Sequence, residues 1–408
     1  MKLLMLNAYY SPEIFSSSYL IENRLQAFAN AGIVVEMLVP TPTRGITDTA
    51  RKEFSAQKVI YEHNRMLKIM RFPLFKEYKS PYLKGIRYLL VSLNHLIRGL
   101  TKKNINCIFC TTTPPTTGIA AVLLKIIKRT KLVYNVQDVF PDSLVAAGLT
   151  SKKSILWRIG RCLENFIYRN ADKIIVISQD FRKNLLEKGV PDEKIEVIYN
   201  WVDQNIVKPI NKADNKLYDE FKISRDKFTV VYAGNMGLAQ NIQIIVDAAE
   251  RLKHLDIQFL LFGKGTLVDD IRRQVEVKSL SNIRFLPFQP YEKVASVYSL
   301  GDLGIVSCKK GFGKSAMPSK TWSIMASGTA VVASFDSGEL KDIIEFYECG
   351  SFADADNVEA LTHTIEKYYN NRGLCSMHGH NGLRVVTENF SREIGTKLYV
   401  DVIRNLGV

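Results

Sequence analysis

Apolar and polar positions alternate along the chain in blocks that predict short buried strands separated by helices. In the first half of the 408 residues, the clearest strands are 3–7, 105–110 and 131–136, and a helix is predicted over 19–31. Short apolar strands that alternate with helices are typical of a parallel sheet covered by helices on both faces. We therefore predict that the first half forms a doubly wound α/β domain.

A polar stretch rich in Lys, Asn and Asp interrupts this rhythm over residues 204–227, and a second alternating series follows it. We predict two Rossmann-like domains, 1–204 and 205–390, that face a central cleft. The segment 391–408 contains an amphipathic helix, which we expect to cross back to the first domain. Ligands of doubly wound sheets bind outside the carboxyl ends of the strands, so the loops after the strands are the candidate site.

Charge is distributed unevenly between the two halves. Residues 1–200 contain 30 lysines and arginines against 16 acidic residues, whereas the remaining residues contain 25 of each. This asymmetry indicates an anionic partner for the first domain: a membrane surface, a nucleic acid or an acidic substrate. Six cysteines fit a reducing cytoplasm, and neither a signal peptide nor a membrane-spanning segment is predicted.

The segment 65–103 combines apolar residues at helical spacing with basic residues, and we expect Phe72, Phe75 and Tyr78 beside it to be exposed. A basic amphipathic helix suits an anionic membrane surface, although an ordinary core-facing helix has the same spacing. With the charge excess, we predict contact with the inner face of the cell membrane. No recognition motif for nucleic acid is present, and none is expected to bind. The apolar positions are Tyr82, Ile86, Leu89, Leu93, Leu96 and Leu100.

Two loops of the second domain have the composition of phosphate-binding loops. Gly234 and Gly237 follow a strand, although this pair taken alone is better explained as glycines of a tight turn. The second loop is basic and precedes a predicted helix, where backbone amides, the helix dipole and ammonium groups would meet a diphosphate. A solvated basic loop capped by Ser315 is the alternative. Its lysines are Lys309, Lys310, Lys314 and Lys320.

Three further motifs carry polar side chains. Asn135, Gln137 and Asp138 place polar groups at the end of strand 131–136, where Asp138 would orient a sugar hydroxyl or receive a proton; on spacing alone, an Asx turn is the favoured alternative. Asp354 and Asp356 form a DxD pattern, but Asp356 is predicted to cap a helix, and no metal site is expected. His378, with His380 in a polar loop, is predicted to lie at the surface.

Taken together, six motifs resemble retaining glycosyltransferases of family 4, which have the GT-B fold, in the branch that builds capsule, O-antigen and colanic acid repeats. Within this branch the chain is most similar to N-acetyl-L-fucosamine transferases, which use a UDP-sugar and a polyprenyl-diphosphate-linked acceptor. The motifs are YYSPEIFSSSYLIENRLQAF (9–28), YNVQDVFPDSLVAAGL (134–149), GVPDEKIEVIYNWVD (189–203), YAGNMGLAQNI (232–242), NIRFLPFQPYEKVASVYSLGDLGIV (282–306) and PSKTWSIMASGTAVVAS (318–334).

The resemblance implies site residues and a mechanism without a metal or other cofactor. Lys320 and Lys264 would stabilise the departing nucleotide diphosphate, and Asp138 would face the donor sugar. The implied donor-binding residues are Gly234, Asn235, Gly263, Phe285, Pro287, Phe288, Ser315, Met317, Pro318, Ser319 and Ser323. The implied acceptor-facing residues are Glu13, Ser16, Ser17, Ser18 and Gln137.

The chain departs from the family pattern at three places. Ser323 stands where many members have a ribose-binding glutamate, and the preceding loop lacks the second glutamate. The usual His-Asp pair reads Gln137-Asp138, and no basic residue occurs in the loop that begins at Asn235. We predict a transferase that moves a sugar from a nucleotide-sugar to a lipid-linked saccharide. The alternatives are a nucleotide-sugar epimerase and a non-catalytic scaffold docked at the membrane; the oligomeric state is not predicted.

Overall fold

The computed structural model describes residues 1–13, 18–78, 80–146, 148 and 150–407. Contacts within the chain group it into two compact units. The N-terminal unit comprises Met1–Tyr199 and Glu393–Val408, and the C-terminal unit comprises Asn200–Arg392. Each unit contains its own sheet, and each is described separately below.

The N-terminal unit contains a sheet of eight strands within the described residues, in the order β3-β4-β2-β1-β5-β6-β7-β8. All neighbouring strands are parallel except β3, which pairs antiparallel with β4 at the edge. The central strands are completely buried, as expected for a sheet covered on both faces. The strands are β1 (Lys2–Leu6), β2 (Val34–Pro40), β3 (Val59–Glu62), β4 (Leu67–Phe72), β5 (Cys107–Thr111), β6 (Lys131–Val136), β7 (Lys173–Val176) and β8 (Ile195–Val197).

Helices connect these strands, and several begin with a side-chain cap. Ser154 and Ser178 accept hydrogen bonds from the backbone amides of Trp157 and Phe181, which satisfies amides that have no partner within the helix. The helices are α1 (Ser18–Asn30), α2 (Asp48–Ala56), α3 (Pro81–Leu100), α4 (Thr116–Lys128), α5 (Asp142–Ala146), α6 (Ile155–Asn170) and α7 (Gln179–Glu187).

The C-terminal unit contains a six-stranded parallel sheet within the described residues, in the order β11-β10-β9-β12-β13-β14. The strands are β9 (Phe228–Asn235), β10 (Ile257–Lys264), β11 (Ile283–Leu286), β12 (Leu303–Ser307), β13 (Ala330–Phe335) and β14 (Gly350–Asp354). The helices are α8 (Leu217–Glu220), α9 (Gln243–Arg251), α10 (Val268–Val277), α11 (Val294–Tyr298), α12 (Lys320–Ala326), α13 (Glu339–Phe346), α14 (Val358–Asn370) and α15 (Arg372–Asn389).

The last helix, α16 (Arg392–Arg404), packs on the N-terminal unit, as the sequence predicts. The Tyr399 hydroxyl donates a hydrogen bond of 3.0 Å to Asn135 Oδ1 on β6, and the Arg404 guanidinium donates to the Ala31 carbonyl at 2.8 Å. The crossing helix therefore brings an aromatic side chain to the carboxyl end of the central sheet.

Two segments differ from the sequence predictions. Residues 59–72 form the β3–β4 hairpin, and Phe72, which we expected to be exposed, is 1% exposed on β4. The predicted polar loop around His378 is helix α15, and His378 is buried, with its Nδ1 2.6 Å from the Tyr368 hydroxyl. In both segments, packing on the sheet outweighs the local polar character of the chain.

Helix α3 is amphipathic, but its apolar stripe faces outward. The stripe includes Leu89 and Leu93, which are 61% and 50% exposed. The opposite face buries His95, whose Nε2 lies 3.2 Å from the carbonyl oxygens of Asn7 and Leu38. Burial lowers the pKa of His95 to about 4, so this histidine is neutral and donates from Nε2. The face of α3 that attaches the helix to the sheet therefore contains a polar side chain, whereas the face that points outward is apolar.

Candidate active site

The carboxyl ends of β9 and β10 approach each other closely in the C-terminal unit. Gly234 on β9 pairs with Gly263 on β10, and Asn235 pairs with Lys264. A Cβ atom on Gly263 would lie 2.2 Å from the Gly234 carbonyl oxygen, so a larger residue requires the backbone to move. These glycines bring the two main chains together at the sheet edge where doubly wound folds bind ligands.

Lys320, the first residue of α12, reaches the same edge from the loop after β12. Its Nζ donates a hydrogen bond of 2.9 Å to the Tyr232 hydroxyl, which in turn donates to the Asn235 carbonyl at 2.5 Å. Gly234 has a φ of 139°, and a Cβ there would lie 3.0 Å from Lys320 Nζ. Glycine therefore provides both the backbone conformation and the space for the ammonium group.

The charge of Lys320 has no counter-charge in the described part of the chain. No carboxylate forms an ion pair with it there, and burial of the ammonium group lowers its pKa to about 7. A cation that is desolvated and unpaired at the edge of a sheet is characteristic of functional sites. A phosphate or diphosphate next to Nζ would offset this desolvation with charge-assisted hydrogen bonds.

The basic loop before α12 differs from the expected phosphate cradle. The backbone amides of Gly311 and Gly313 both donate to Asp336 Oδ2 at 2.8 Å, so these two donors are engaged within the protein. Three of its four lysines are exposed, and Lys320 is the one that reaches β9. These two amides are therefore not the donors that would meet a diphosphate at this loop.

The remaining predicted donor-binding residues lie on the same unit but differ in burial. Phe288, beyond the end of β11, is exposed, and Lys264 Nζ lies 4.5 Å from its ring centroid. This aromatic–basic pair neighbours Asn235, because β11, β10 and β9 are adjacent. Of the others, Pro287 is exposed, Phe285, Ser315, Pro318 and Ser319 are half-buried, and Met317 and Ser323 are buried.

The aspartates of the DxD pattern do not have the predicted geometry. Asn357, not Asp356, caps α14: its Oδ1 accepts a hydrogen bond from the Ala360 amide at 3.0 Å. Asp356 instead accepts from Asn241 Nδ2 at 2.6 Å and from the Lys310 amide at 3.3 Å. Within the described residues, no group of three or more His, Cys, Asp or Glu side chains is arranged to hold a metal ion.

In the N-terminal unit, Glu13 is engaged by the backbone instead of facing outward. Its carboxylate accepts hydrogen bonds from the amides of Thr43 at 2.7 Å, Arg44 at 3.1 Å and Tyr10 at 3.2 Å. Burial raises the pKa of Glu13, and these amides act against that rise. Glu13 therefore ties the loop after β1 to the loop after β2, which differs from the expected contact with an acceptor.

Next to it, the guanidinium of Arg44 forms an ion pair with the carboxylate of Glu77. Its guanidinium donates to both oxygens of Glu77, at 2.9 and 3.0 Å, and to the Tyr9 hydroxyl at 2.8 Å. Burial acts to raise the pKa of Glu77, but the hydrogen bonds from Arg44 and Tyr9 outweigh it and lower that pKa to about 2. The positive charge of Arg44 is thus neutralised inside the protein.

A cavity of about 220 Å³ lies at the carboxyl ends of β1, β5 and β6. Gln137 lines it, and its Nε2 donates a hydrogen bond of 3.1 Å to Asn135 Oδ1. Gln137 and Asn135 belong to the polar group predicted at the end of β6, whereas the other residues of the polar wall are not among the predicted site residues. The sequence signal for Arg24 is its position on the apolar side of α1, four residues from Leu20 and from Phe28. The unpredicted polar residues are Asn7, Arg24, Arg44, Thr111 and Thr113.

Asp138 does not line this cavity. It follows β6, and its carboxylate accepts hydrogen bonds from the Ser143 side chain and the Val139 amide. The residue is exposed overall, yet the protein around its carboxyl group raises its pKa above the ordinary value by removing hydration. Ser18 begins α1 and is half-buried, whereas Ser16 and Ser17 lie outside the described residues.

Two parallel-sheet α/β units, each with polar groups at the carboxyl ends of its strands, define the GT-B fold of glycosyltransferases. Two family models match the chain. Glycosyltransferase Family 4 matches residues 19–205, and Glycosyl transferases group 1 matches residues 214–385. Together the two matched regions span most of the chain, which is a glycosyltransferase.

Individual relatives are named as glycosyltransferases, and one of them is assigned to colanic acid biosynthesis. The probable glycosyltransferase WbjE of Pseudomonas aeruginosa is 27% identical over 68% of both chains. The putative colanic acid biosynthesis glycosyl transferase WcaI of Escherichia coli is 26% identical over 60% of this chain and 61% of its own. The solved structure of Anabaena HepE with UDP-glucose has a TM-score of 0.73 at 17% identity and covers both chains completely.

Proposed function

We propose that this protein transfers a sugar from a UDP-sugar to a polyprenyl-diphosphate-linked saccharide, with retention of anomeric configuration, in bacterial surface polysaccharide biosynthesis. The sequence resemblance favours an N-acetylated 6-deoxyhexosamine, such as N-acetyl-L-fucosamine, as the transferred sugar. The observation that carries the proposal is the unpaired Lys320 ammonium at the carboxyl edge of the C-terminal sheet.

The donor is proposed to bind the C-terminal unit. Lys320 provides a positive charge beside the backbone of Gly234 and Asn235, and Lys264 provides a second one beside the exposed ring of Phe288. We propose that these lysines stabilise the departing nucleotide diphosphate without a metal ion. The structural similarity to HepE, which was solved with UDP-glucose, supports UDP as the nucleotide.

The acceptor is proposed to bind the N-terminal unit, where Gln137 lines the cavity at the ends of β1, β5 and β6. Asp138 follows Gln137 and has a raised pKa, which suits a group that exchanges a proton with a sugar hydroxyl. The relationship to WcaI, which is assigned to colanic acid biosynthesis, supports a saccharide acceptor.

The protein is further proposed to act in the cytoplasm, bound peripherally to the inner face of the cell membrane. Helices α3, α4 and α6 lie side by side: a Cβ on Gly99 would be 2.5 Å from Leu124, and one on Gly118 would be 2.6 Å from Ile167. All three expose apolar side chains, and Glu164, which is buried, is their one acidic residue. An apolar surface with basic and no exposed acidic residues fits an anionic bilayer.

No helix in the described part of the chain is long and apolar enough to cross a membrane. We propose that the exposed apolar side chains of the three helices form the surface that contacts the membrane. They are Tyr82, Leu83, Ile86, Leu89, Leu93, Ile97 and Leu100 on α3, Leu123, Ile126 and Ile127 on α4, and Ile155, Leu156, Ile159 and Phe166 on α6.

A metal-free thermal-shift panel with UDP, GDP, ADP, CMP and dTDP tests the donor proposal. A ligand at a hundred times its dissociation constant adds about 2.7 kcal/mol to the free energy of unfolding, which is a measurable rise in melting temperature. We expect UDP to stabilise the protein and the other nucleotides to have little effect. Stabilisation by another nucleotide would contradict the UDP assignment.

The same panel separates the alternatives. If none of the nucleotides raises the melting temperature, a non-catalytic scaffold is favoured. If UDP stabilises the protein, incubation with UDP-sugars distinguishes a transferase from an epimerase, because only an epimerase forms a product sugar nucleotide without an acceptor. We expect no such product from the donor alone.

A further inference from the structure

The cavity of the N-terminal unit contains an arginine whose charge is not neutralised. The guanidinium carbon of Arg24 lies 4.7 Å from the ring centroid of Phe109 and 4.9 Å from that of Tyr399, so two aromatic rings hold it in place. Burial lowers its pKa, and the groups that act against this are the charge and hydrogen bond of Tyr399, with no carboxylate among them. Arg24 is 2% exposed, which makes an unneutralised charge here costly.

Three of the residues that line this cavity are buried and contain four side-chain polar atoms that have no hydrogen-bond partner among the described residues. These atoms are Arg24 Nε, both side-chain atoms of Asn7, and Asn135 Nδ2. The orientation of the Asn135 amide follows from its contacts, because its Oδ1 already accepts hydrogen bonds from Tyr399 and Gln137. Its Nδ2 is therefore a donor, like Arg24 Nε.

The combination of these atoms indicates the chemistry of a ligand. Arg24 Nε and Asn135 Nδ2 supply donors beside a fixed positive charge, which suits a carboxylate or a phosphate. Asn7 supplies one donor and one acceptor, which suits the hydroxyl groups of a sugar. A volume of about 220 Å³ exceeds the roughly 30 Å³ of liquid that one water molecule occupies several times over, so the site has room for a sugar ring.

The neighbouring arginine provides a contrast within the same cavity. Arg44 also lines it, but its Nε and Nη2 donate hydrogen bonds to the Glu77 carboxylate, and Nη2 also donates to the Tyr9 hydroxyl. The protein thus neutralises one arginine internally and leaves the other with a polar atom unpaired at the cavity.

We propose that this cavity binds a sugar unit that carries an anionic group. Arg24 and Asn135 would bind the anionic group, and Asn7 would bind the hydroxyl groups of the sugar ring. This inference rests on the proposed function and specifies its acceptor as negatively charged at the reacting end. The charge has two possible sources: the carboxylate of an acidic sugar, or the phosphate that joins the first sugar to its lipid carrier.

Isothermal titration calorimetry of the full chain with glucose, glucuronate and glucose 1-phosphate tests the proposal. We expect glucuronate or glucose 1-phosphate to bind about ten- to a hundredfold more tightly than glucose, because charge-assisted hydrogen bonds to the anion are added. The tighter of the two identifies the source of the charge. Equal affinity for glucose and both anions would overturn the proposal.

Variants locate the binding site. Arg24→Gln is expected to lower affinity for the anion to that for glucose, whereas the exposed control Arg273→Gln and the donor-site variant Lys320→Met retain it. If Arg24→Gln does not fold, the isosteric Asn7→Asp tests the same point, since a carboxylate in the cavity repels the anion. Wild-type affinity in folded Arg24→Gln or Asn7→Asp would overturn the proposal.

Saturation with UDP does not compete in this experiment if the anion occupies the N-terminal cavity. Displacement of the anion by UDP would assign it to the donor site and overturn the proposal. Because the titration contains no donor, its outcome is independent of the nucleotide panel: a protein that fails to bind UDP can still bind the anionic sugar, and the reverse also holds.

Discussion

The two units have the same kind of parallel sheet, but they treat a buried cation at its carboxyl edge differently. In the N-terminal unit, Arg24 lies against two aromatic rings and remains charged at all physiological pH values. In the C-terminal unit, Lys320 is held by Tyr232, and burial lowers its pKa to about 7. One cation is permanent, and the other titrates near neutral pH.

This difference indicates how each site suits its proposed ligand. A guanidinium with a rigid set of donors favours a group that stays in one position, such as an anion on the acceptor. The charge of an ammonium group with a pKa near 7 depends on its surroundings, so this charge changes when a diphosphate binds or leaves. The units also differ at the surface, because the basic excess and the exposed apolar stripe on α3 both belong to the N-terminal half.

The largest effect is expected from Lys320→Met. Removing the ammonium takes away a charge that acts on the departing diphosphate, so sugar transfer from the donor to extracted lipid acceptor should fall about a hundredfold. Incorporation of labelled sugar into lipid measures this rate. The exposed Lys310→Met in the same loop is the matched control and should remain within about twofold of the wild type. A transfer rate for Lys320→Met close to that of the control would remove Lys320 from the mechanism.

A smaller effect is expected from altering the exposed stripe of α3. Replacing both Leu89 and Leu93 with Asp removes apolar contact and adds negative charge, and binding to vesicles with anionic lipid should weaken about tenfold or more. Vesicle co-sedimentation measures this affinity. Val277→Asp changes an 80% exposed apolar residue on α10 of the C-terminal unit and should bind like the wild type. Equal losses in both variants would show that the C-terminal unit contributes as much as α3.

The smallest effect is a pH dependence that distinguishes the two cations. Lys320 is mostly protonated below pH 7. Above pH 7 the amine must take up a proton when an anion binds next to it, so the affinity for the anion falls as the pH rises. A pKa of about 7 predicts a loss of about fivefold in affinity for UDP-glucose between pH 7 and pH 8. Titration calorimetry measures this slope, since the diphosphate of a sugar nucleotide does not itself titrate there.

Two comparisons sharpen this test. Lys320→Met should bind UDP-glucose weakly and without the slope, while the exposed Lys309→Met retains it. Binding of the anionic sugar through Arg24 should be constant over the same pH range. A slope that persists in Lys320→Met would assign the titration to another group.

Much of the fold is predictable from the chain because strands and helices follow local periodicity. The helix predicted over 19–31 is Ser18–Asn30, and the strand predicted over 131–136 is Lys131–Val136. The β3–β4 hairpin and the burial of His378 are not predictable in this way, because their stability comes from contacts with distant elements. Short or polar segments have weak local signals, and packing decides their structure.

The candidate site divides along the same line. The glycines and lysines of the C-terminal loops are recognisable as sequence motifs, and Gln137 and Asp138 as polar residues after a strand. Arg24, Asn7 and the cavity belong to no motif: the position of Arg24 on the apolar side of α1 indicates that it is buried, but not that it lines a cavity. Its significance depends on the rings of Phe109 and Tyr399, which belong to other elements of the unit.

The sequence by itself determined two alternating α/β series, the return of the last helix, the basic excess of the first half and the resemblance to a glycosyltransferase family. The tertiary structure decided which charges are paired. Asp336 occupies the amides of Gly311 and Gly313, Glu77 neutralises Arg44, and Lys320 has no carboxylate partner among the described residues. Periodicity acts between neighbours in the chain, whereas desolvation and ion pairing depend on groups that only folding brings together.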